Sequence, residues 1–363
     1  MRILVTSTGG HGHLGPVLSI ADALAGHGHE TVFVVPPSAV ERVAAAGHAV
    51  RLGSAPPPEQ AKAFGDRMTE LSADDAAVLM NRDYFAGLCA PAMLPAVREA
   101  AKEIQPDLIV REPCEYASAI VAAELGVRQA QAAISFAEVE SWSLDLAAPA
   151  LPADAVDAIR TGAYLTRFPT SLDPSPFADT RRYRPEPPRP AQALPVWWED
   201  MTRPLVYVTL GTVTGQLPIA QTAYQATLDA VADLPVRVLL TVGRDTDPSV
   251  LGPIPANTHV EPWIAQDDVF ALAEVVVCHS GSGTVFGALA AGRPLVLLPM
   301  FADQPVNAAR VTAVGAGITP EPEPGAIRAA IEAVLTDPGY RAAATRIAAE
   351  LAAAPQVGTL LER

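Results

Sequence analysis

Short, continuously apolar segments separated by helical patterns set the strongest limit on the fold of this chain. The first such segment, RILVTS, ends in a glycine-rich loop, and the apolar residues of GPVLSIADALAGHG then recur at helical spacing before a second segment, HETVFVV. Strands that are apolar at every position, rather than at alternate positions, are buried on both faces. Joined by helices, they predict a parallel sheet covered by helices on both sides.

The same alternation returns after a proline-rich stretch, in RPLVYVTLGT, PVRVLLTVG, EVVVCHSGSGT and RPLVLLPM. Closely spaced prolines disfavour a regular helix or a central strand, so the stretch at about 183–200 is predicted to be a linker. We therefore expect two α/β domains with Rossmann-like, doubly wound parallel sheets, at residues 1–190 and 191–363. Ligands of such sheets bind beyond the carboxyl ends of the strands, which predicts a cleft between the domains. The last helix is expected to pack back on the N-terminal domain.

Composition and charge exclude several classes of protein. Half of the residues are hydrophobic and 18% are charged, which favours a globular chain. The 40 acidic residues outnumber the 25 basic ones, and the net charge of −15 opposes binding to nucleic acid or anionic lipid. Three widely spaced cysteines, Cys89, Cys114 and Cys278, form no CxxC pair and indicate a reducing cytoplasm. The N-terminus has too short an apolar run for a signal peptide or membrane span, so we expect a cytoplasmic protein without stable membrane insertion.

The loop GGHGHLGP has the Gly10-x-Gly12-x-x-Gly15 spacing of a dinucleotide-binding fingerprint. That fingerprint also needs an acidic residue at the end of the second strand, about 20 residues further on, to bind the ribose hydroxyls. Here this strand ends in VFVVPPSAV, and its only acid, Glu30, comes at its beginning. An NAD(P)-dependent dehydrogenase or epimerase is therefore the alternative function and not the preferred one.

Histidines and aspartates at close spacing raise the question of a metal. HGH occurs at 11–13 and again at 27–29, and RDTDP contains Asp245 and Asp247. The second HGH follows a helix and precedes a strand, where a glycine C-cap and a turn explain it better than zinc does. An Asp- and Pro-rich turn explains RDTDP equally well. No metal site is predicted.

A histidine at the start of a helix, just after the first strand, has a more specific use. The helix N-terminus disfavours the imidazolium, which keeps the ring available as a general base. The second domain supports the interpretation of this histidine as a general base, because it contains a candidate site for a diphosphate. There, HSGSGT follows an apolar strand and precedes a helix, and its small residues suit a diphosphate. Trp263 offers a face for stacking a nucleobase, while Asp303 and Gln304 offer hydrogen bonds for a sugar.

Five segments together, GGHGHLGP, RPLVYVTLGT, NTHVEPWIAQDDV, HSGSGT and MFADQPVNAARV, resemble the GT-B glycosyltransferases of family 1, and most closely the actinobacterial natural-product enzymes of macrolide and polyketide type. The resemblance implies inverting transfer of a sugar from a nucleoside diphosphate to a hydroxyl of a hydrophobic aglycone, without a metal or redox cofactor. It assigns the base to His13, not His11, and its orientation to Glu112, with Glu115 as second choice. Relatives commonly have Asp at this point.

The resemblance also defines the donor site. Its candidate residues are Gly211, Thr212, Trp263, Ile264, His279, Gly281, Ser282, Gly283, Thr284, Asp303 and Gln304. Plant relatives have a ribose-binding Glu where this chain has Gly287, which favours a dTDP-sugar over a UDP-sugar. A non-catalytic nucleotide-sugar binder would need neither His13 nor Glu112, so their presence favours an enzyme. The sequence leaves open the aglycone, the sugar, C- or N-transfer, homodimerisation and dependence on a helper protein.

Overall fold

Two units make up the chain. The computed structural model describes residues 1–68, 71–185, 192–211, 218–244 and 246–361. Tertiary contacts group Met1–Glu186 with Ala354–Arg363 as a first unit, and Pro187–Ala353 as a second unit. Each unit contains a parallel sheet flanked by helices, which confirms the predicted pair of Rossmann-like sheets.

The first unit has seven described strands, all parallel, in the order β3-β2-β1-β4-β5-β6-β7. They are β1 (Arg2–Thr6), β2 (Glu30–Val35), β3 (Ala49–Leu52), β4 (Leu108–Arg111), β5 (Arg128–Ala132), β6 (Ala163–Thr166) and β7 (Asp179–Arg182). Chain order reverses at β1, which lies between β2 and β4. The loops after β1 and β4 therefore meet at a topological switch point, where open α/β sheets bind their ligands.

Helices cover both faces of this sheet. They are α1 (His11–Gly26), α2 (Pro37–Ala45), α3 (Pro58–Met68), α4 (Ala73–Val78), α5 (Ala90–Ile104), α6 (Ala117–Leu125), α7 (Ala137–Ala147) and α8 (Ala153–Thr161), with a π-helix at Leu79–Cys89 and a 3-10 turn at Ala148–Ala150. In β1, Ile3 and Val5 join the core beneath α1, whereas Leu4 joins the core beneath α5 and α6. Burial on both faces is why the first segment is apolar throughout.

The second unit has six described strands, again all parallel, in the order β10-β9-β8-β11-β12-β13. The strands are β8 (Leu205–Thr209), β9 (Arg237–Thr241), β10 (Thr258–Glu261), β11 (Val275–Cys278), β12 (Leu295–Leu297) and β13 (Gly317–Ile318). The helices are α9 (Pro218–Val231), α10 (Gln266–Phe270), α11 (Ser282–Ala290), α12 (Gln304–Ala313), α13 (Pro324–Thr336) and α14 (Pro338–Ala353), with a 3-10 turn at Pro248–Leu251. No described helix of either unit is both long and apolar enough to cross a membrane.

Residues at both ends of the predicted linker, and the last helix, each have contacts within one of the two units. Tyr183, predicted to begin the linker, is buried in the core of the first unit. Near the other end of the predicted linker, the Trp198 indole donates to the carbonyl of Asn257 in the second unit at 3.0 Å. Helix α14 belongs to the second unit, and the expectation that it packs on the N-terminal domain stays a prediction. Only the residues after it join the first unit, because the apolar side chains of Val357 and Leu361 enter its core.

Candidate active site

His13 and Glu112 lie side by side at the switch point of the first unit. His13 lies in the first turn of α1, where its amide donates to the carbonyl of Gly10 at 3.0 Å. Its side chain is partly exposed, and its Nδ1 lies 3.1 Å from Oε2 of the fully buried Glu112. Glu112 follows β4 directly, and β4 pairs with β1 in a register that sets Thr6 opposite Arg111. The sheet therefore brings together two residues that are far apart in the sequence.

Hydrogen bonds fix the Glu112 carboxylate. Its Oε1 accepts from the Thr8 amide at 3.0 Å and from the Thr8 hydroxyl at 2.6 Å, while Oε2 accepts from the Cys114 amide at 2.7 Å. Burial alone would raise the pKa of Glu112, but the neighbouring His13 and the donors on Thr8 outweigh it and lower the pKa to about 2. Glu112 is thus an ionised acceptor beside the imidazole at neutral pH.

Glu115, the second choice for orienting His13, has other partners. Its carboxylate accepts hydrogen bonds from the hydroxyls of Thr6 and Ser118 and from the amide of Ala117 at the start of α6. Burial is the dominant effect on its pKa and raises it. Glu112, rather than Glu115, is the glutamate in contact with His13.

Thr8 is a site residue that the sequence analysis missed. Its hydroxyl donates to Glu112 and also lies 3.2 Å from His13 Nδ1, so it contacts both members of the pair. A hydroxyl residue just beyond the first strand was the available signal, but its role depends on β4 lying beside β1. The side chain of His11 lies outside the described part of the chain.

Among the described residues, His13, Glu112 and Cys114 form a group whose ligand atoms lie within 4.8 Å of one another. Two features make it a poor metal site. Burial raises the pKa of the Cys114 thiol well above its usual value, and metals bind the thiolate. Both oxygens of Glu112 already accept hydrogen bonds. The arrangement suits proton transfer better than metal coordination.

The histidines of the second HGH have structural contacts. His27 donates from Nδ1 to the carbonyl of Ala23 at 2.8 Å, and Nδ1 of His29 lies 3.2 Å from the N-terminal amine. Gly28 between them has a φ of 81°, the left-handed conformation expected of a residue that ends a helix. The turn interpretation fits this geometry.

Aromatic side chains of the π-helix and of α3 form a row that begins beside His13. The Phe85 ring lies 5.8 Å from the His13 ring, Tyr84 lies 5.5 Å from Phe85, and Phe64 lies 4.5 Å from Tyr84. π-Helices are rare in proteins, but those that occur are often found at functional sites. The sequence analysis found no motif in this region, because the helical period does not distinguish a π-helix from an α-helix.

His279 is the centre of the candidate donor site in the second unit. It follows β11 and is buried, and burial lowers its pKa to about 4 despite the nearby Asp303 carboxylate. Its Nδ1 has no hydrogen-bond partner among the described residues. A Cβ on Gly211 would lie 2.7 Å from the imidazole, and a Cβ on Gly281 would overlap it. These two glycines make room for the ring, which is neutral at physiological pH.

Two strained residues flank the site. Ser280 and Ala302 have φ angles of 69° and 56°, a conformation that non-glycine residues rarely adopt and that clusters at functional sites. They lie in the loops after the neighbouring strands β11 and β12. Asn307, a buried residue that the sequence analysis missed, donates to the Ser280 carbonyl at 2.9 Å and to Asp303 at 2.8 Å. The Ser282 hydroxyl also donates to Asp303, at 2.8 Å.

Of the two residues predicted to bind the sugar, Gln304 is already engaged. Its Oε1 accepts from the amides of Met300 and Phe301 at 2.8 and 3.3 Å, and the residue is buried. Its carbonyl oxygen therefore shapes the loop after β12. Any contact of Gln304 or Asp303 with a sugar remains a prediction.

Trp263, predicted to stack on a nucleobase, is 46% exposed in the segment after β10. The guanidinium carbon of Arg244 lies 3.7 Å from the centre of its ring, a cation–π contact that the sequence did not indicate. The adjacent Ile264 is half-buried. Stacking of a nucleobase on the exposed indole stays a prediction.

The remaining donor candidates are Gly283, Thr284 and Thr212, and two other positions from the sequence analysis, Asp245 and Gly287, are taken with them. Gly283 and Thr284 lie with Ser282 in the first turn of α11, and their contact with a diphosphate stays a prediction. Thr212 lies outside the described residues, as does Asp245 of the DxD sequence. Gly287 packs so closely on Phe270 that a Cβ there would overlap its ring.

Comparisons with known proteins identify the class. Residues 225–362 match the family described as erythromycin biosynthesis protein CIII-like, C-terminal domain. L-demethylnoviosyl transferase of Streptomyces niveus is 29% identical over 386 aligned residues, covering 100% of this chain and 97% of the relative. The structure of the glycosyltransferase SnogD from Streptomyces nogalater superposes with a TM-score of 0.78 at 26% identity, covering 99% and 97% of the two chains. The structure of spinosyn rhamnosyltransferase SpnG complexed with thymidine diphosphate superposes with a TM-score of 0.82 at 23% identity, covering 99% of both chains.

The protein is therefore a glycosyltransferase of the GT-B fold. Within that class, residues 225–362 are similar to the erythromycin biosynthesis protein CIII-like C-terminal domain, and the whole chain is similar to natural-product glycosyltransferases.

Proposed function

We propose that the protein is an inverting glycosyltransferase that moves a sugar from a dTDP-sugar to a hydroxyl of a hydrophobic natural-product acceptor, with His13 as general base and Glu112 as the residue that orients it. The contact between His13 Nδ1 and Glu112 Oε2, at 3.1 Å, is the observation that carries the proposal. It sets the imidazole with one nitrogen toward a carboxylate, the arrangement used to hold a catalytic histidine in one tautomer.

In the proposed reaction the acceptor oxygen attacks the anomeric carbon, and the bond from that carbon to the diphosphate breaks on the opposite face. His13 Nε2 takes the hydroxyl proton as the new bond forms. The ionised Glu112 stabilises the resulting imidazolium through Nδ1, which is the main contribution of a buried carboxylate in such a pair. The aromatic rings of Phe85 and Tyr84 lie beside the base, and this apolar surface is a reason to propose a hydrophobic acceptor.

Groups of the second unit would stabilise the negative charge that develops on the departing diphosphate. The first turn of α11, with Ser282, Gly283 and Thr284, offers amides at the positive end of the helix dipole. His279 is neutral there, so it would contribute a hydrogen bond rather than a positive charge. The amides at the start of α11 are the groups that would stabilise the diphosphate charge without a metal, and we expect EDTA to leave the transfer rate unchanged.

The preference for a dTDP-sugar is supported by Gly287, where the packing of Phe270 leaves no room for a ribose-binding carboxylate. The similarity in fold to the SpnG complex with thymidine diphosphate is consistent with it. Isothermal titration with dTDP and UDP tests the preference, and tighter binding of UDP would contradict it.

Transfer itself is tested with dTDP-glucose, UDP-glucose and a panel of polyketide and phenolic acceptors, with products detected by mass spectrometry. His13→Ala is expected to lose transfer while retaining dTDP binding, because the base acts only in the chemical step. His27→Gln, at the far end of α1, is the matched control and should retain activity. Undiminished turnover by His13→Ala would refute the assignment of the base.

A further inference from the structure

Arg111 occupies an unusual position, fully buried at the carboxyl end of β4 and directly before Glu112. Burying a charge is costly unless hydrogen bonds compensate for it, and burial lowers the pKa of this guanidinium. Its charged and titratable neighbours are Glu112, Glu115, Tyr116, Glu140 and Cys114. A leucine or valine would fill such a core position at less cost, so the guanidinium calls for an explanation.

The guanidinium of Arg111 connects two parts of the first unit. On one side it donates to two glutamines of β5, from Nε to Gln129 Oε1 at 2.9 Å and from Nη2 to Gln131 Oε1 at 2.6 Å. On the other side Nη1 faces three carbonyl oxygens of the turn at 112–115, those of Glu112, Pro113 and Glu115, at 3.1, 3.3 and 3.5 Å. One rigid planar group thus ties this turn to the neighbouring strand.

The anchor on β5 is itself held. Gln131 lies opposite Arg111 in the strand register, and its Nε2 donates to Glu140 Oε2 at 3.0 Å. The other oxygen of Glu140 accepts from the amides of Ile134 and Ser135, both at 2.7 Å. Because both ends of the Gln131 amide are engaged, it presents a fixed acceptor to Arg111.

The turn at 112–115 and Thr8 together set the direction of the Glu112 carboxylate. Glu112 Oε2 accepts from the amide of Cys114 within that turn and contacts His13 Nδ1. A shift of the turn would move the Cys114 amide and the backbone of Glu112, and the two hydrogen bonds from Thr8 would then no longer be enough to keep Oε2 against His13.

We propose that Arg111 is a positioning residue: by holding the carbonyls of the 112–115 turn, it fixes the Glu112 carboxylate against His13. Its effect on the reaction rests on the proposed role of His13 as base, but its effect on the Glu112–His13 contact does not. That difference allows a test without substrate.

The test follows the protonation of His13 by NMR in the full chain labelled at histidine, with the His13 signal assigned from its loss in His13→Gln. A carboxylate beside an imidazole favours the protonated ring, so Glu112→Gln should lower the midpoint of the His13 titration by about 1–3 pH units. Arg111→Lys keeps the positive charge but cannot reach both the glutamines and the carbonyls. It should lower the midpoint in the same direction, by about 0.5 pH unit or more.

Arg182→Lys is the matched control. Arg182 also donates to backbone carbonyls, those of Phe168 at 2.6 Å and Asp173 at 2.8 Å, but it holds a different loop. Its replacement should leave the His13 midpoint unchanged. If Arg111→Lys does not fold, Gln131→Leu, which removes one acceptor of Arg111, is the second variant and should lower the midpoint by a smaller amount.

An unchanged midpoint in folded Arg111→Lys, or in Gln131→Leu if the former does not fold, would overturn the proposal, and so would an unchanged midpoint in Glu112→Gln. Failure of the proposed base would be seen instead as transfer by His13→Ala. If both proposals hold, Arg111→Lys should also lower kcat at least about tenfold, with little change in KM for the donor.

Discussion

Two buried glutamates three positions apart, Glu112 and Glu115, show how strongly the surroundings of a residue determine its pKa. Both are fully enclosed in the first unit, yet the pKa of Glu112 is lowered and that of Glu115 is raised. The difference lies in their partners, because Glu112 faces His13 and Glu115 faces the hydroxyls of Thr6 and Ser118. Identical side chains in one turn therefore have different chemical uses.

Glu112→Gln is expected to reduce kcat by about 10²–10⁴-fold, since a neutral amide neither stabilises the imidazolium nor fixes one tautomer of His13. Steady-state kinetics with the donor and acceptor found in the transfer assay would measure the loss. Glu115→Gln is the matched control, and its kcat should stay near that of the wild type. Equal losses in the two variants would show that the turn, rather than the contact with His13, carries the effect.

The burial of His279 gives stability a dependence on pH. Its folded-state pKa of about 4 lies below the ordinary value for histidine, so the unfolded chain binds the proton more readily. The neutral ring's contribution is fully present above about pH 6.5 and is lost as the pH falls from 6.5 toward 4.

Between pH 7.5 and pH 5 this single group should lower the free energy of unfolding by about 2 kcal/mol. Trp197, Trp198 and Trp263 belong to the second unit and Trp142 to the first, so tryptophan fluorescence in urea follows the unfolding of the second unit once Trp142 is replaced by Phe in both the parent protein and His279→Gln. His279→Gln should show a correspondingly smaller dependence on pH. The same dependence in both proteins would contradict the assignment.

At the scale of single elements, the sequence predicted the loop from β11 to α11, but it did not predict one structural role of the glycines there. The sequence HSGSGT between an apolar strand and a helix correctly indicated a loop that leads into a helix N-terminus. The glycines were expected to admit a diphosphate, but Gly211 and Gly281 also accommodate the His279 ring. That packing joins segments from β8 and β11, which the sequence separates, and local reasoning could not reveal it.

Gly281→Ala should therefore displace His279 and weaken dTDP binding by about tenfold or more, because an added Cβ would occupy the position of the ring. Calorimetric titration with dTDP measures the change. Gly325→Ala, at the start of α13 with open space around its Cα, is the control and should bind dTDP as the wild type does. Wild-type affinity in Gly281→Ala would show that the ring relaxes freely or does not contribute to binding.

At the scale of the whole molecule, the chain returns to its first unit after completing the second. Residues 354–363 belong with Met1–Glu186, and their 3-10 turn, Val357–Thr359, packs on α1. Arg181 donates to the carbonyl of Leu360 at 2.6 Å and adds a polar anchor. The first unit thus depends on residues that follow the second unit in the chain.

Leu361→Ala should destabilise the first unit by about 2–4 kcal/mol, since it removes a side chain that is only 3% exposed from the core. Thr359→Ala, an exposed position in the same segment, should cost little and is the control. Hydrogen exchange read by mass spectrometry reports on peptides of the two units separately. Protection lost equally in both units would contradict a local role.

The sequence by itself determined the two parallel-sheet units, the helix start that carries His13, and the loop that carries His279. These features depend on local periodicity, strand burial and small residues at turns, which act over one or two elements. Tertiary structure decided the choice of Glu112 over Glu115, the roles of Thr8, Asn307 and Arg111, and the unit to which the last residues belong. Those outcomes depend on which strands lie side by side and in what register, and contacts between distant segments leave no periodic trace in the sequence.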